Sequence, residues 1–516
     1  MWQQDLKITN SASIASDINP GGSTTQAHGD TSGLPEDIQI ALQLLTRQIA
    51  DSDDLVTPHF DTKKPLMVGR APARLDVMGG ISDYSGSTVL QLPLKESAVV
   101  FCQRSAQATM QIISVGSGGA HDLRSIQIPL EDFYLPGTSK PCSYSQMRDY
   151  FAAKPEDQRW AAYFAGVLTV LMIEFDLTLE YGIVLYGHSK VPEGKGVSSS
   201  AAIEVATMRS VTRLMGLDID AHQQAVLCQQ VENLIVGAPC GLMDQMASSM
   251  GQKDALLNML CQPDIVGESL QLPDGLSVWG IDSGLRHAVS GADYGAVRVA
   301  SFMGYRLLLE QAGIASHDVA AVDIDDKRWN GYLANVSVSE FSEYFASQLP
   351  STLSGEAFLG KFDGITDTVT RVDPAKNYAV LACTSHPIQE HFRVRVFMQL
   401  CRAMQTEKLS NDSVRLMGEC MYMSHASYTH CGLGSTGTDD LVERLRRVGA
   451  EGGIYGARIS GGGNGGTVAV LADAGSDSVI RTIAADYARA SGIGGQVFSG
   501  SSAGASSHVL LHNDTH

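Results

Sequence analysis

A mixed α/β (α+β) fold is predicted by three observations on this sequence. From Leu66 onward, short β-branched runs such as "STVLQLPL" and "AVVFCQR" are followed by stretches of helical periodicity. A β-like run, "GIVLYGHSKV", passes through a glycine loop and three serines into a helix. The chain has 516 residues, 44% of them apolar, enough for two or more globular domains that each bury a core.

In chain order, residues 9 to 34 are rich in Ser, Thr, Gly, Asn and Asp, too polar to offset the entropy of ordering, and 1–60 is expected to be a flexible polar arm. A helix is expected from Ser199 to its terminating Gly216. A second follows from Asp220, with Gln223 three residues on as in a capping box and Leu227, Val231, Leu234 and Ile235 as its apolar stripe. Glu232 falls off that stripe. Residues 312–384 are loop-rich and acidic and are expected to form an insertion or lid-like segment. No internal repeat of fixed period is present.

Lys and Arg number 37 against 56 acids, a formal charge of −19 that argues against nucleic-acid and anionic-membrane partners. An anionic ligand must then be held by backbone N–H groups, single cations or a metal ion. The nine cysteines are odd in number, scattered and never in C-x-x-C spacing, which speaks against a disulfide framework or zinc site and for a reducing cytoplasm. The first 30 residues carry no basic-then-apolar leader, and the longest apolar run, Ala165 to Ile173, is too short for a membrane span.

Four segments can carry chemistry. In "VPEGKGVSSSAAIEV" (191–205), a helix start with unpaired N–H groups offers a phosphate site; Gly194 and Gly196 permit close approach, Lys195 adds charge, and the serine hydroxyls can ligate phosphate or Mg²⁺. The Walker spacing is absent, and the plainer alternative is a flexible loop with a serine cap. "ARISGGGNGGTVAVLA" contains a formal G-x-G-x-x-G at Gly461, Gly463 and Gly466, but strand-like residues on both sides make a hairpin turn an equal alternative to a functional loop. In "VENLIVGAPCGLMDQMAS", Glu232 and Asp244 are either a solvated carboxylate and a cap, or a metal ligand and a group that positions an acceptor hydroxyl for phosphoryl transfer. In "GRAPARLDVMGGISDYSGS", Arg74 is either a surface charge or a partner for a catalytic carboxylate, and Asp83 offers two acceptor oxygens suited to adjacent sugar hydroxyls.

Together these segments resemble the GHMP small-molecule kinases: "PEGKGVSSSAA" their central phosphate motif, "SGGGNGG" their C-terminal glycine motif, and "GRAPARLDVMGGISDYSGS" the galactokinase signature. The likeness runs from about residue 65 to the C-terminus and is greatest to the L-arabinokinase branch, with "VGAPCG", "MDQM" and "WGIDSG" also shared. The resemblance implies a two-lobed kinase with its active site in the cleft between lobes, an N-terminal lobe at 61–274 and a C-terminal lobe at 275–516 carrying the insertion. ATP and a sugar are the implied small-molecule partners and Mg²⁺ the implied cofactor. By motif, Asp244 takes the place of the catalytic aspartate and Arg74 that of the arginine beside it. Gly194, Lys195, Gly196, Val197, Ser198, Ser199 and Ser200 would cradle the ATP phosphates, and Ser200 and Glu232 would hold Mg²⁺. Asp83, Gly241 and Tyr294 would meet the sugar.

Galactokinases read "GEHTDY" where this chain reads "GGISDY", so Gly80 and Ile81 stand where the Glu-His pair would engage the hydroxymethyl arm of galactose. L-arabinopyranose keeps the ring hydroxyls and lacks that arm. A buried Glu or His left without a partner costs about 1 to 3 kcal/mol, so a pentose kinase does better without them. The resemblance thus implies an ATP-dependent anomeric 1-kinase for L-arabinose. The rivals are a galactokinase whose residues 80 and 81 have drifted, a non-catalytic sugar and ATP sensor, and, least favoured, a dinucleotide oxidoreductase. Oligomeric state, monomer or homodimer, and adenine contacts are not legible in the sequence.

Overall fold

In the computed structural model of the chain, residues 6–10, 34–117, 122–285, 292–406, 410–505 and 509–513 are described. Two sheets organise them. The larger runs in the order Leu6–Asn10, Val509–Asn513, Leu66–Met78, Thr88–Ser105, Gly182–Ser189, Thr109–Val115, Leu123–Pro129. Its pairs are antiparallel except Thr109–Val115 with Gly182–Ser189, which run parallel. The 18-residue strand Thr88–Ser105 bends across two neighbours and also pairs with Ala255–Leu260. The smaller sheet has four strands, Ile454–Ile459, Thr467–Asp473, Leu276–Asp282 and Val497–Phe498.

The helix Ser199–Met215 lies against the larger sheet through Ala202, Val205, Ala206 and Met208, all fully buried. Small alanines let helix and strand backbones approach closely. The helix ends at Gly216 in the left-handed conformation, as the sequence predicts. The next helix, Ala221–Gln230, is capped by Asp220, whose carboxylate accepts the Gln223 N–H at 2.8 Å. It continues as a π-turn over Val231–Val236, one residue wider per turn than an α-helix.

The arm expected at 1–60 needs correction. Residues Glu36–Ala50 form a helix whose Ile38, Leu42 and Leu45 pack on Val99, Phe101, Ile113 and Tyr186, covering the second face of the larger sheet. Its apolar residues recur at helical spacing but follow directly on a polar tract, which masked them. Leu6–Asn10 pairs with Val509–Asn513, and residues 11–33 lie outside the described residues. That same pairing returns the C-terminal end to the larger sheet, against the expected boundary that assigned all of 275–516 to one lobe.

The segment 312–384 contains short helical turns and one two-stranded ribbon, Leu353–Ser354 with Asn377–Tyr378. Its Trp329, Leu333, Val336, Phe341, Phe345 and Leu349 build an apolar cluster on Tyr305, Leu308 and Ile388. It is a packed subdomain rather than a loose loop, since indole and phenyl burial offsets its lack of long regular elements.

Candidate active site

The cleft at the meeting of the two halves encloses about 760 Å³ and is lined by Arg74, Ile81, Asp83, Gly194, Gly196, Ser198 to Ser200, Glu232, Gly241, Asp244, Tyr294 and Gly462, among others. Nearly all the residues singled out in the sequence thus converge, from segments up to 388 residues apart. Gly80, Lys195 and Val197 do not line it, nor do Gly461, Gly463 and Gly466.

Asp244 sits in the first turn of the helix Met243–Met250. Arg74 Nε donates to its Oδ1 and a second Arg74 nitrogen to its Oδ2, each at 2.8 Å, while the third nitrogen donates to Gly196 O at 2.8 Å. One guanidinium therefore ties the aspartate to the glycine loop, and the planar fork orients both carboxylate oxygens. The Ser198 hydroxyl also donates to Asp244. Ser198 adopts a left-handed backbone and makes no side-chain cap, so the expected serine cap is replaced by a bond to the catalytic candidate.

Glu232, off the predicted apolar stripe, is nonetheless 4% exposed: it follows the buried Ala225 and Cys228 by seven and four residues, on the inner face of the same helix. Burial, then the neighbouring Asp244 charge, pushes its carboxyl up to about 7, while Ser200, Cys240 and Gln245 hydrogen-bond to it. Gln245 Nε2 donates at 2.7 Å to Glu232 and at 3.3 Å to Glu204, a fully buried acid on the serine helix. Burial and the Glu232 charge raise Glu204 well above the usual carboxylate range. Neither Gln245 nor Glu204 was singled out in the sequence; a carboxylate four residues after Ser200 on a helix is the signal that was available.

Asp83 lies on the short helical turn Gly80–Ser85 and accepts the Tyr84 N–H at 2.7 Å. Burial and the Asp244 charge push it up to about 7. Gly241 abuts it: a Cβ there would overlap the Asp83 carboxylate. The Arg298 guanidinium, on the helix Ala292–Gln311, opposes this rise at Asp83 and donates two 2.8 Å bonds to Asp367. Sequence reading missed Arg298, although it stands four residues, one helical turn, after Tyr294 in "GADYGAVR".

The glycine-rich turn 460–466 joins two antiparallel strands, so no helix opens there and the dinucleotide fingerprint lacks its required context. The turn instead faces the first loop: Thr467 Oγ1 donates to Lys195 O at 2.7 Å, and a Cβ at Gly461 would stand 2.9 Å from Gly196 O. Lys195 Nζ, expected on phosphate, pairs with Asp282 at 3.0 Å. A second cavity of about 850 Å³ opens beside the serine loop, lined by Arg124, Trp160, Tyr163, Phe164, Ser199 and Ile203. Arg124 stacks over Trp160 at 5.1 Å and pairs with Glu193.

Two family models match, GHMP kinases N terminal domain over residues 162–252 and GHMP kinases C terminal over residues 406–505. The L-arabinokinase of Arabidopsis thaliana is 40% identical over 490 residues, covering 86% of this chain and 46% of that protein; the chain thus spans under half of that relative's length. The solved structure of Lactococcus lactis galactokinase complexed with galactose superposes with a TM-score of 0.65 at 18% identity, covering 90% of this chain and 99% of that one.

Proposed function

Because this chain belongs to the GHMP kinases, we propose that it is an ATP- and Mg²⁺-dependent phosphotransferase that phosphorylates the anomeric hydroxyl of L-arabinose. The observation that carries the reading is the Arg74–Asp244 pair, set between the start of the serine helix and the buried Asp83. In that position Asp244 orients the acceptor hydroxyl and takes its proton, and Arg74 offsets charge on the transferring phosphoryl. The unpaired N–H groups at the helix start bind the phosphates. Asp83 accepts from adjacent ring hydroxyls, with Gly241 and Tyr294 beside it. The aromatic cavity at Trp160 and Tyr163 takes the adenine.

Ser200 and Glu232 fit a Mg²⁺ site, being hard oxygen donors hydrogen-bonded to each other at the cleft wall. Among the described residues no group of three or more His, Cys, Asp or Glu could hold a metal, in keeping with an ion that takes its remaining ligands from phosphates and water. An ion held by Ser200 and Glu232 would supply positive charge that offsets the charge of the phosphates. The nine free cysteines support a reducing, cytoplasmic setting.

Ile81 supports the pentose: it fills the wall where a galactose hydroxymethyl arm would need a polar partner. ADP release across L-arabinose, galactose and glucuronate tests this, and a clear preference for either of the latter two overturns the specificity. Asp244→Asn is expected to cut turnover by roughly 10² to 10⁴ while ATP still binds. Wild-type protein that binds both ligands yet releases no ADP is a sensor.

A further inference from the structure

Tyr428 belongs to the helix Asn411–His430 and is fully buried. Its hydroxyl accepts the Ile81 N–H at 2.9 Å and donates to the Gly461 carbonyl at 3.0 Å. Ile81 lines the sugar side of the cleft and Gly462, next to Gly461, the phosphate side, so one phenol oxygen spans the two walls. The surrounding bonds follow the same plan. The Gly79 N–H donates to Glu390 and the Gly80 N–H to Asp76 Oδ1, each at 3.1 Å. Asp76 Oδ2 accepts Arg458 at 2.7 Å and the Gly461 N–H at 3.3 Å. Three successive amides of the sugar-side turn are thus held by three buried side chains, and two of these also hold the glycine turn.

Gly80 explains why the phenol matters. Its φ is +47°, and a Cβ there would overlap the Tyr428 hydroxyl and stand 2.7 Å from Asp76 Oδ2. The room that a side chain at position 80 would need is therefore occupied by Tyr428, and the missing side chain leaves no vacancy in the sugar pocket.

We propose that Tyr428 is a positioning and specificity-determining residue: by holding Ile81 N–H and Gly461 C=O with one hydroxyl, it sets the distance between the sugar wall and the glycine turn, and with it the bulk tolerated at the sugar's outer edge. The inference rests on the sugar-kinase reading above. It is tested by kcat/KM for L-arabinose and for galactose in wild type and Tyr428→Phe, with Ser424→Ala as control. Ser424 is buried in the same network, bonded to Glu390 and Arg458, but touches neither turn. Tyr428→Phe is expected to shift the arabinose-to-galactose ratio by about fivefold, the size of one lost neutral hydrogen bond, with the ATP KM within about twofold of wild type. Ser424→Ala is expected to lower Tm and leave the ratio unchanged. An unchanged ratio in Tyr428→Phe, or an equal shift in Ser424→Ala, overturns the inference alone. A wild-type protein that phosphorylates neither sugar overturns the kinase reading and the inference with it.

Discussion

Asp83 and Glu232 are both buried acids pushed up to about 7, and in both burial is the larger cause and the Asp244 charge the next. A carboxylate must be charged to bind a cation, so below pH 7 a proton has to leave Glu232 for each ion bound. The apparent Mg²⁺ affinity is therefore expected to fall about tenfold per pH unit below 7 and to level off above it, measured as the Mg²⁺ dependence of ADP release. Asp244→Asn removes the second cause, so Mg²⁺ titrated into that variant by calorimetry is expected to hold its affinity to lower pH. An affinity independent of pH between 5.5 and 8 rules out Glu232 as a ligand. At Gly241 the constraint is steric. Gly241→Ala drives a methyl into the Asp83 carboxylate and is expected to raise the sugar KM at least tenfold while leaving the ATP KM near its wild-type value.

At the scale of elements, the serine helix and the π-turn do different work. The helix start supplies the N–H donors that any helix start supplies, whereas the π-turn carries one buried carboxylate, Glu232, at the cleft wall. Glu232 stands seven residues after the buried Ala225 and four after the buried Cys228, so 3.6-residue periodicity places it on a buried face that the narrower stripe of Leu227, Val231, Leu234 and Ile235 left out. The segment 312–384 reaches the site through Asp367, the ion-pair partner of the 6% exposed Arg298. Against the burial that disfavours its charge, the hydrogen bonds it donates to Asp367 and the charge of that carboxylate raise the Arg298 pKa above its ordinary value. Removing one partner of a buried pair leaves the other charge uncompensated, so Asp367→Ala is expected to cost about 3 to 5 kcal/mol in denaturant unfolding and to raise the sugar KM. A variant as stable as wild type would mean that the segment is peripheral.

For the whole molecule, the larger sheet is assembled from residues near both ends of the chain. Val509–Asn513 pairs with Leu66–Met78, and the helix Glu36–Ala50 covers the face carrying Val99, Phe101 and Tyr186. A fragment limited to 61–274 would expose that apolar face and leave Leu66–Met78 as an open edge, a template for self-association. It is expected to aggregate or bind a hydrophobic dye, and to recover only when 34–60 and the C-terminal strand are restored. A soluble, monomeric fragment 61–274 would show the lobe to be self-sufficient.

What the sequence alone determined is local chemistry: the glycine-serine loop opening a helix, the capped second helix, the strands flanking 460–466, and the residue types in the cleft. These follow from neighbours along the chain, where backbone conformation and side-chain chemistry are decided within a few residues. Tertiary structure decided the rest. Arg74 finds Asp244 across 170 positions, Arg298 finds Asp367 across 69, and Tyr428 takes the room beside Gly80 from 348 residues away. A buried charge or hydroxyl must be satisfied by whatever group packing brings to it, and that choice depends on the whole fold.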